Sequence, residues 1–146
     1  MALDLGSQRI GVALSDAGRR LAHGHTVLKR RSRQADFARY RDIIAAEGVA
    51  LVVIGLPVHL SGRDSATTAW VRDYAADCAA QLPTPVVLWD ESLTSRQADA
   101  SLRAQGVRDL RARAARVDAV AAAHILQDYL DAQTIHPAQP DNSAER

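Results

Sequence analysis

The sequence predicts an α/β domain on a mixed five-stranded sheet, an antiparallel meander continued by parallel strands and flanked by helices. Three observations lead there. Short apolar runs at residues 2–6, 10–15 and 21–29 follow one another with only turn residues between them. Two further apolar runs, at residues 50–56 and from Pro85 to Trp89, come later in the chain. Segments of helical periodicity separate these later runs from what precedes and follows them. Strands in immediate succession pair antiparallel, whereas strands alternating with helices join a sheet by parallel crossovers.

Each element has a local reason. Gly6 and Gly11 frame the joint between the first two strands, and Gly18 marks the next turn. From about Gln34 to Glu47, Phe37, Tyr40, Ile43 and Ile44 recur at helical spacing, with Gly48 placed to stop the helix. Residues 50–56 (Ala-Leu-Val-Val-Ile-Gly-Leu) lack the alternation of a half-exposed strand, which predicts a strand covered on both faces and ended by Pro57. Ser65 to Leu82 repeats Ala69, Val71, Tyr74, Ala75, Cys78 and Ala79 at helical spacing and exits between Pro83 and Pro85. Beyond the last strand, Thr94 can cap a helix to about Gln105, because its hydroxyl can accept a first-turn N–H. Residues 106–116 read as a basic, irregular stretch, and Val117 to Leu130 as an Ala-rich final helix. The expected organisation is one domain over residues 1–133 and a flexible tail over 134–146, where Pro, Gln and Ser gather.

Composition narrows the function classes. A chain of 146 residues that is 47% hydrophobic suits one core. The 4% of aromatics leaves that core to Val, Ile, Leu and Ala. A net charge of +1 argues against coating nucleic acid by bulk electrostatics. Lys29 is the sole lysine, so the bases are arginines, whose planar fork matches phosphate better than a point charge does. Coding bias toward Arg explains the same fact equally well. Cys78 stands alone, which leaves no intrachain disulfide and no Cys-rich zinc site. No apolar run approaches the ~20 residues of a membrane helix, and residues 1–15 lack a signal-peptide layout, so a cytoplasmic protein is expected.

Three acidic positions attract attention. Asp4 lies within an apolar first strand, where a carboxylate is costly unless paired, and a divalent cation is one partner that suits it. Asp90 and Glu91 fall where the last strand should leave the sheet, the end at which open sheets gather ligands. Side chains alternate along a strand, so only one of that pair is expected to face a shared site. Asp118 is expected to open the final helix, and counting by three and four from it reaches Ala121, Ala122, Ile125 and Tyr129, the prospective buried stripe. Taken singly, each has an ordinary reading: a turn or edge position for Asp4, a loop and helix start for Asp90-Glu91, and a first-turn acid favouring the helix dipole for Asp118.

The four motifs occur together and in order. Asp4-x-Gly6-x-x-Arg9-x-Gly11-x-Ala13-x-Ser15-Asp16, the turn Gly55-Leu56-Pro57 with Gly62, Asp90 to Thr94, and Asp118-x-x-Ala121-Ala122-x-x-Ile125-Leu126 extended by Gln127, Tyr129 and Leu130 span roughly residues 2–131. In these stretches the chain resembles the RuvX/YqgF family of Holliday-junction resolvase-like and ribosomal-RNA-processing nucleases. The resemblance implies a ribonuclease H-like fold, phosphodiester hydrolysis, and a carboxylate site for Mg²⁺ or Mn²⁺, with two ions able to activate water and stabilise the leaving oxygen. It assigns Asp4, Glu91 and Asp118 as catalytic metal ligands, converging on one cleft, and Asp90 as a neighbour of the site. Ser92 stands where the family often has Arg, and Ser7-Gln8 replaces a more basic approach to Arg9.

A nucleic-acid partner, DNA junction or single strand or precursor rRNA, would be held by Arg9, by the run Lys29-Arg30-Arg31 with Arg33, and by Arg103, Arg108, Arg111, Arg113 and Arg116. A solvated basic loop is the competing reading of the 108–116 run. His59 after the Gly-Leu-Pro turn reads as a surface histidine. Scarce aromatics favour recognition of backbone or shape over base stacking. Two rival classes remain in view. Actin-like ATPases also begin with an Asp-x-Gly hairpin, but they bind nucleotide between two such domains, and 146 residues supply one. A catalytically inactive nucleic-acid-binding module of the same fold is the other. No membrane contact is expected, and the protein is expected as a monomer or homodimer.

Overall fold

The computed structural model describes residues 1–57, 65–90 and 110–135, with the backbone alone for 110–118 and 134–135. The strands are β1 (Ala2–Leu5), β2 (Arg9–Ser15), β3 (Ala22–Lys29), β4 (Val52–Leu56) and β5 (Val86–Asp90). The helices are α1 (Arg33–Glu47), α2 (Ala66–Gln81) and α3 (Leu110–Ile135). The strands form one sheet in the order β3-β2-β1-β4-β5. β1, β2 and β3 pair antiparallel, and β4 and β5 join β1 in parallel. This is the mixed five-stranded sheet the sequence predicts.

Alternation along the strands builds two cores. Leu3, Ile10, Val12, Leu14, Val52, Ile54 and Leu56 face α1 and α2, where they meet Phe37, Tyr40, Ile44, Val71, Tyr74 and Cys78. Ala2, Ala13 and Val53 face the other way, against Ala122, Ile125, Leu126 and Leu130 of α3. β4 contributes to both cores, so its unbroken apolar run follows from cover on both faces. The first core is sealed by aromatics: Phe37 meets Tyr74 edge-on at 5.3 Å, and the buried Tyr40 and Tyr74 hydroxyls pair at 2.9 Å. Burial, reinforced by the neighbouring hydroxyl, pushes the Tyr40 hydroxyl far above the usual tyrosine range. Burial likewise pushes the Cys78 thiol up to about 12, the state of an inert core residue.

Helix ends obey simple chemistry. Ser32 caps α1 by accepting from the Ala35 N–H, and Gly48 ends it at φ 64°, a left-handed conformation that costs glycine little. Ser65 caps α2 by accepting from the Thr68 N–H. The last helix departs from expectation at both ends. It begins at Leu110 and not at Val117, and it runs to Ile135, beyond Leu130. The basic run read as irregular is therefore helical from residue 110 onward, and the reason is intrinsic: Leu, Arg and Ala, which fill residues 110–116, are strong helix formers. The helix expected from Thr94 to Gln105 lies outside the described residues. Among the described residues, no helix is long and apolar enough to cross a membrane.

Candidate active site at the carboxyl end of the parallel strands

β1, β4 and β5 run in parallel and end together at Leu5, Leu56 and Asp90. Asp4 is the penultimate residue of β1, half-buried, and opposite Gly11 of β2. Alternation puts it in the row of Ala2, whose side chain belongs to the core under α3. Asp4 therefore stands on the α3 side of the sheet, at the carboxyl end of its central strand. That is the edge at which an open sheet collects ligands.

Two glycines shape its surroundings. The Gly6 N–H donates to the Arg9 carbonyl at 2.8 Å, and a methyl group at Gly6 would sit 2.7 Å from that same oxygen. Only glycine lets the β1–β2 hairpin close this tightly beside Asp4. On β3, a methyl at Gly24 would lie 3.2 Å from the Ala119 Cβ and 3.4 Å from its carbonyl oxygen. Here α3 comes almost into backbone contact with the sheet, as its alanines lead one to expect.

That contact orients the last helix. Ala119 lies over Gly24, and further on Gln127 binds the start of β3, accepting from the Ala22 N–H at 2.9 Å and donating to the Arg20 carbonyl at 2.9 Å. The chain of α3 thus runs away from the Asp4 end, and backbone position 118 lies on the Asp4 side of the Gly24 contact. Asp118 is an interior helix position, eight residues after Leu110, so the first-turn dipole explanation for it no longer applies. Trp89 of β5 packs edge-on to Tyr129 at 5.5 Å and ties the far sheet edge to the same helix.

The other acid of the described set stands differently. Asp90 ends β5 in the row of Val86 and Leu88, which pack toward α1 and α2, whereas Val87 and Trp89 pack toward α3. Asp4 and Asp90 share an end of the sheet but not a face. Glu91, Ser92, His59, Arg103 and Arg108 lie outside the described residues, as do the side chains of Arg111, Arg113, Arg116 and Asp118. Among the described residues, no three acidic, histidine or cysteine side chains gather as a metal site. Asp4 by itself offers one hard oxygen donor, the donor type Mg²⁺ and Mn²⁺ take.

Part of the basic run expected to hold nucleic acid is committed inside the protein. Arg33 pairs with Asp73 at 2.9 Å and with Asp77 of α2. Arg30 donates to the carbonyls of Gly6 and Ser7 at 3.2 and 3.3 Å and stacks on Trp70 at 3.9 Å. Arg39 binds the buried Asp36 and the Lys29 carbonyl. The contacts of Arg30 and Arg33 were not legible in sequence, since they join residues more than 20 apart in the chain, whereas Arg39–Asp36 is a local pair within α1. The Asp16 carboxylate, at the opposite end of the hairpin, accepts from the Arg20 and Leu21 N–H groups at 2.8 and 3.0 Å, which lowers its pKa. It closes a turn and lies away from the Asp4 end.

The chain has relatives among known proteins. Residues 1–132 match the model of the family RuvX, described as Holliday junction resolvase. A protein of Anaeromyxobacter sp. is 41% identical over 133 residues, covering 90% of this chain and 95% of that one. A protein of Koribacter versatilis is 36% identical over 143 residues, covering 98% and 93%. Both bear the name "Putative pre-16S rRNA nuclease". Among solved structures, Thermus thermophilus RuvC in complex with a Holliday junction substrate superposes with a TM-score of 0.55 at 18% identity, covering 92% of this chain and 94% of that one. At that identity the likeness speaks for the shared fold, a ribonuclease H-like one, while the match along residues 1–132 and the relatives' identity establish kinship: the chain belongs to the RuvX family.

Proposed function

We propose that this chain is a divalent-metal-dependent nuclease that hydrolyses phosphodiester bonds, with Asp4, Glu91 and Asp118 as its catalytic metal ligands. The observation that carries the reading is the place of Asp4. It is a half-buried carboxylate at the carboxyl end of the central strand, on the α3 face, in a chain of the RuvX family. The alternation of β5 puts Asp90 on the face opposite Asp4, which favours Glu91 over Asp90 as the catalytic acid. Backbone position 118, on the Asp4 side of the Gly24 contact and in register with Ala121 and Ala122, favours Asp118 as the third.

Three carboxylates form a hard donor set that fits Mg²⁺ or Mn²⁺ and not a thiolate-loving metal. Bound there, one or two such ions would generate the attacking hydroxide and stabilise the leaving oxygen. The protein's own part is to hold the ions and align the phosphate. Asp4 does the first on a rigid strand, while Arg9, Arg108, Arg111, Arg113 and Arg116 serve the second, with Asp90 a neighbour on the other face. Relatives sharing more than a third of their residues carry a pre-16S rRNA name, which favours precursor ribosomal RNA ends as first substrate. Branched DNA follows from the family's description, and single-stranded DNA is the further substrate we keep in view. A cytoplasmic place and a monomer or homodimer accord with such a role.

A cleavage panel of matched precursor RNA, single strand, duplex and four-way DNA junction tests the reading across Mg²⁺, Mn²⁺ and EDTA. Cutting of at least one substrate only with metal is the expected result. Binding without cutting at any Mn²⁺ concentration would transfer the chain to the class of inactive binding modules. The arginines on the first turns of α3 give a second expectation. Replacing Arg111, Arg113 and Arg116 together by Ala should weaken binding and reduce the slope of log affinity against log salt by up to about 2–3, since each lost phosphate contact releases about one counterion fewer. The rate at saturation should fall less than the affinity. An unchanged salt slope would make these arginines a solvated surface.

A further inference from the structure

We propose that Arg30, seated on Trp70, is a positioning residue: it fixes the turn after Asp4 so that the Gln8 backbone N–H faces the side on which a substrate phosphate would meet Asp4. The inference rests on the nuclease reading above and assigns a phosphate-orienting donor to that site.

Arg30 holds the β1–β2 turn through its side chain and its backbone. A single guanidinium nitrogen, Nη1 of Arg30, donates to two successive carbonyls, Gly6 at 3.2 Å and Ser7 at 3.3 Å. The Arg30 N–H donates to the next carbonyl, Gln8, at 2.8 Å. The guanidinium carbon lies 3.9 Å from the centre of the Trp70 ring. Trp70 is on α2 and packs against the core between the sheet and α1 and α2. The Gly6 and Ser7 carbonyls are therefore drawn toward the α2 side, while the Gln8 carbonyl continues the β2–β3 pairing. An indole face strips water from the guanidinium and holds it flat, so the donor is both strengthened and fixed in direction.

Planarity of the peptide group supplies the consequence. All peptide bonds are trans among the described residues, and in a trans peptide the C=O and N–H point in opposite directions. With the Ser7 carbonyl drawn to the α2 side, the N–H of the same peptide, that of Gln8, is aimed to the α3 side. Asp4 lies four residues earlier in the chain and belongs to that side by the alternation of β1. The turn cannot easily swivel, because the Gly6 N–H is tied to the Arg9 carbonyl at 2.8 Å and space for anything larger than hydrogen is missing there. A backbone N–H aimed to that side is a donor for a non-bridging phosphate oxygen with or without a bound cation, and it reads no base. Arg30 thus acts on the substrate through the backbone and does not itself touch the phosphate. This also accounts for a basic residue that is spent inside the protein directly beside the site.

The test uses the full chain, labelled with ¹⁵N, and the dinucleotide UpU, which carries one phosphodiester. Titration in EDTA should move the Gln8 amide proton downfield in wild type. In Arg30→Ala that response should be lost and KM for the cleaved substrate should rise about tenfold, the order expected for one hydrogen bond to a charged group, with kcat changing less. Arg30→Lys, which keeps a donor but not the fork, should fall between the two. Trp70→Leu, which leaves Arg30 but removes its seat, is read in the same way and replaces Arg30→Ala if that variant does not fold. A wild-type Gln8 amide that ignores UpU while other amides respond overturns the proposal, as does a folded Arg30→Ala with unaltered Gln8 response and KM. A Gln8 response that is present in wild type and lost in Arg30→Ala, in a protein that cuts nothing, supports the role of Arg30 and counts against the nuclease reading alone.

Discussion

Asp4→Asn is expected to abolish metal-dependent cutting, by at least a hundred- to a thousandfold on the order of other losses of a charge-stabilising group, while leaving the fold in place. Asn has the size of Asp and still fits the half-buried position opposite Gly11, so the pleat and the β1–β2 pairing need not change. What disappears is the negative charge that would hold a cation in the proposed mechanism. Nucleic-acid binding should survive in part, because phosphate contacts from arginines lie outside the carboxylate site. Labelled substrate is followed for wild type and variant across a metal series with EDTA, beside thermal melts and circular dichroism. Undiminished cutting by a folded Asp4→Asn, or full activity in EDTA, would end the metal-nuclease mechanism.

How far the sequence reached depended on whether a feature was local. The strands and the first two helices were legible within a residue or two, because periodicity, caps and glycine stops are written in adjacent residues: Ser32, Gly48 and Ser65 do what their positions suggest. The start of the last helix was misread because a run of arginines looks like a loop by charge, although Arg and Ala next to Leu are helix formers by propensity. As a candidate, Asp4 is legible from its cost among apolar neighbours, which is a local cue. The clamp of Arg30 on Trp70 left no local trace, since it joins residues 40 apart in sequence. Gly24, alone between histidines in an otherwise continuous strand, is by contrast a local mark of a close backbone approach.

That glycine carries the other large expected effect. Gly24 pairs with Ala13 of β2, and Ala119 of α3 rests on Gly24. A single methyl at residue 24 already comes within 3.2 Å of the Ala119 Cβ, so Gly24→Ala requires a shift of a few tenths of an ångström. Gly24→Leu adds three further carbons to that Cβ at an exposed position of the edge strand, and with the helix carbonyl 3.4 Å from the Cβ the rotamers that turn under α3 overpack the contact. Overpacking of this kind costs ~1–3 kcal/mol. The functional loss should exceed what stability alone explains, because the helix that must lift is the one that carries position 118 toward the Asp4 end. A displacement of about an ångström between groups that must hold one ion or align one phosphate is enough to cost on the order of a hundredfold in rate. Folded Gly24→Leu is therefore expected to melt several degrees lower and to cut at least tenfold more slowly at temperatures where it remains fully folded, with Gly24→Ala mild in both. Ala119→Gly, combined with Gly24→Ala, should return cutting toward wild type by removing the Cβ in contact, even though glycine within a helix costs ~1 kcal/mol of stability. Melting curves and saturating rates for the four proteins of this cycle decide it. If Gly24→Leu melts and cuts like wild type, α3 is not seated on β3 at Ala119, and the placement of position 118 that follows from that seat is wrong.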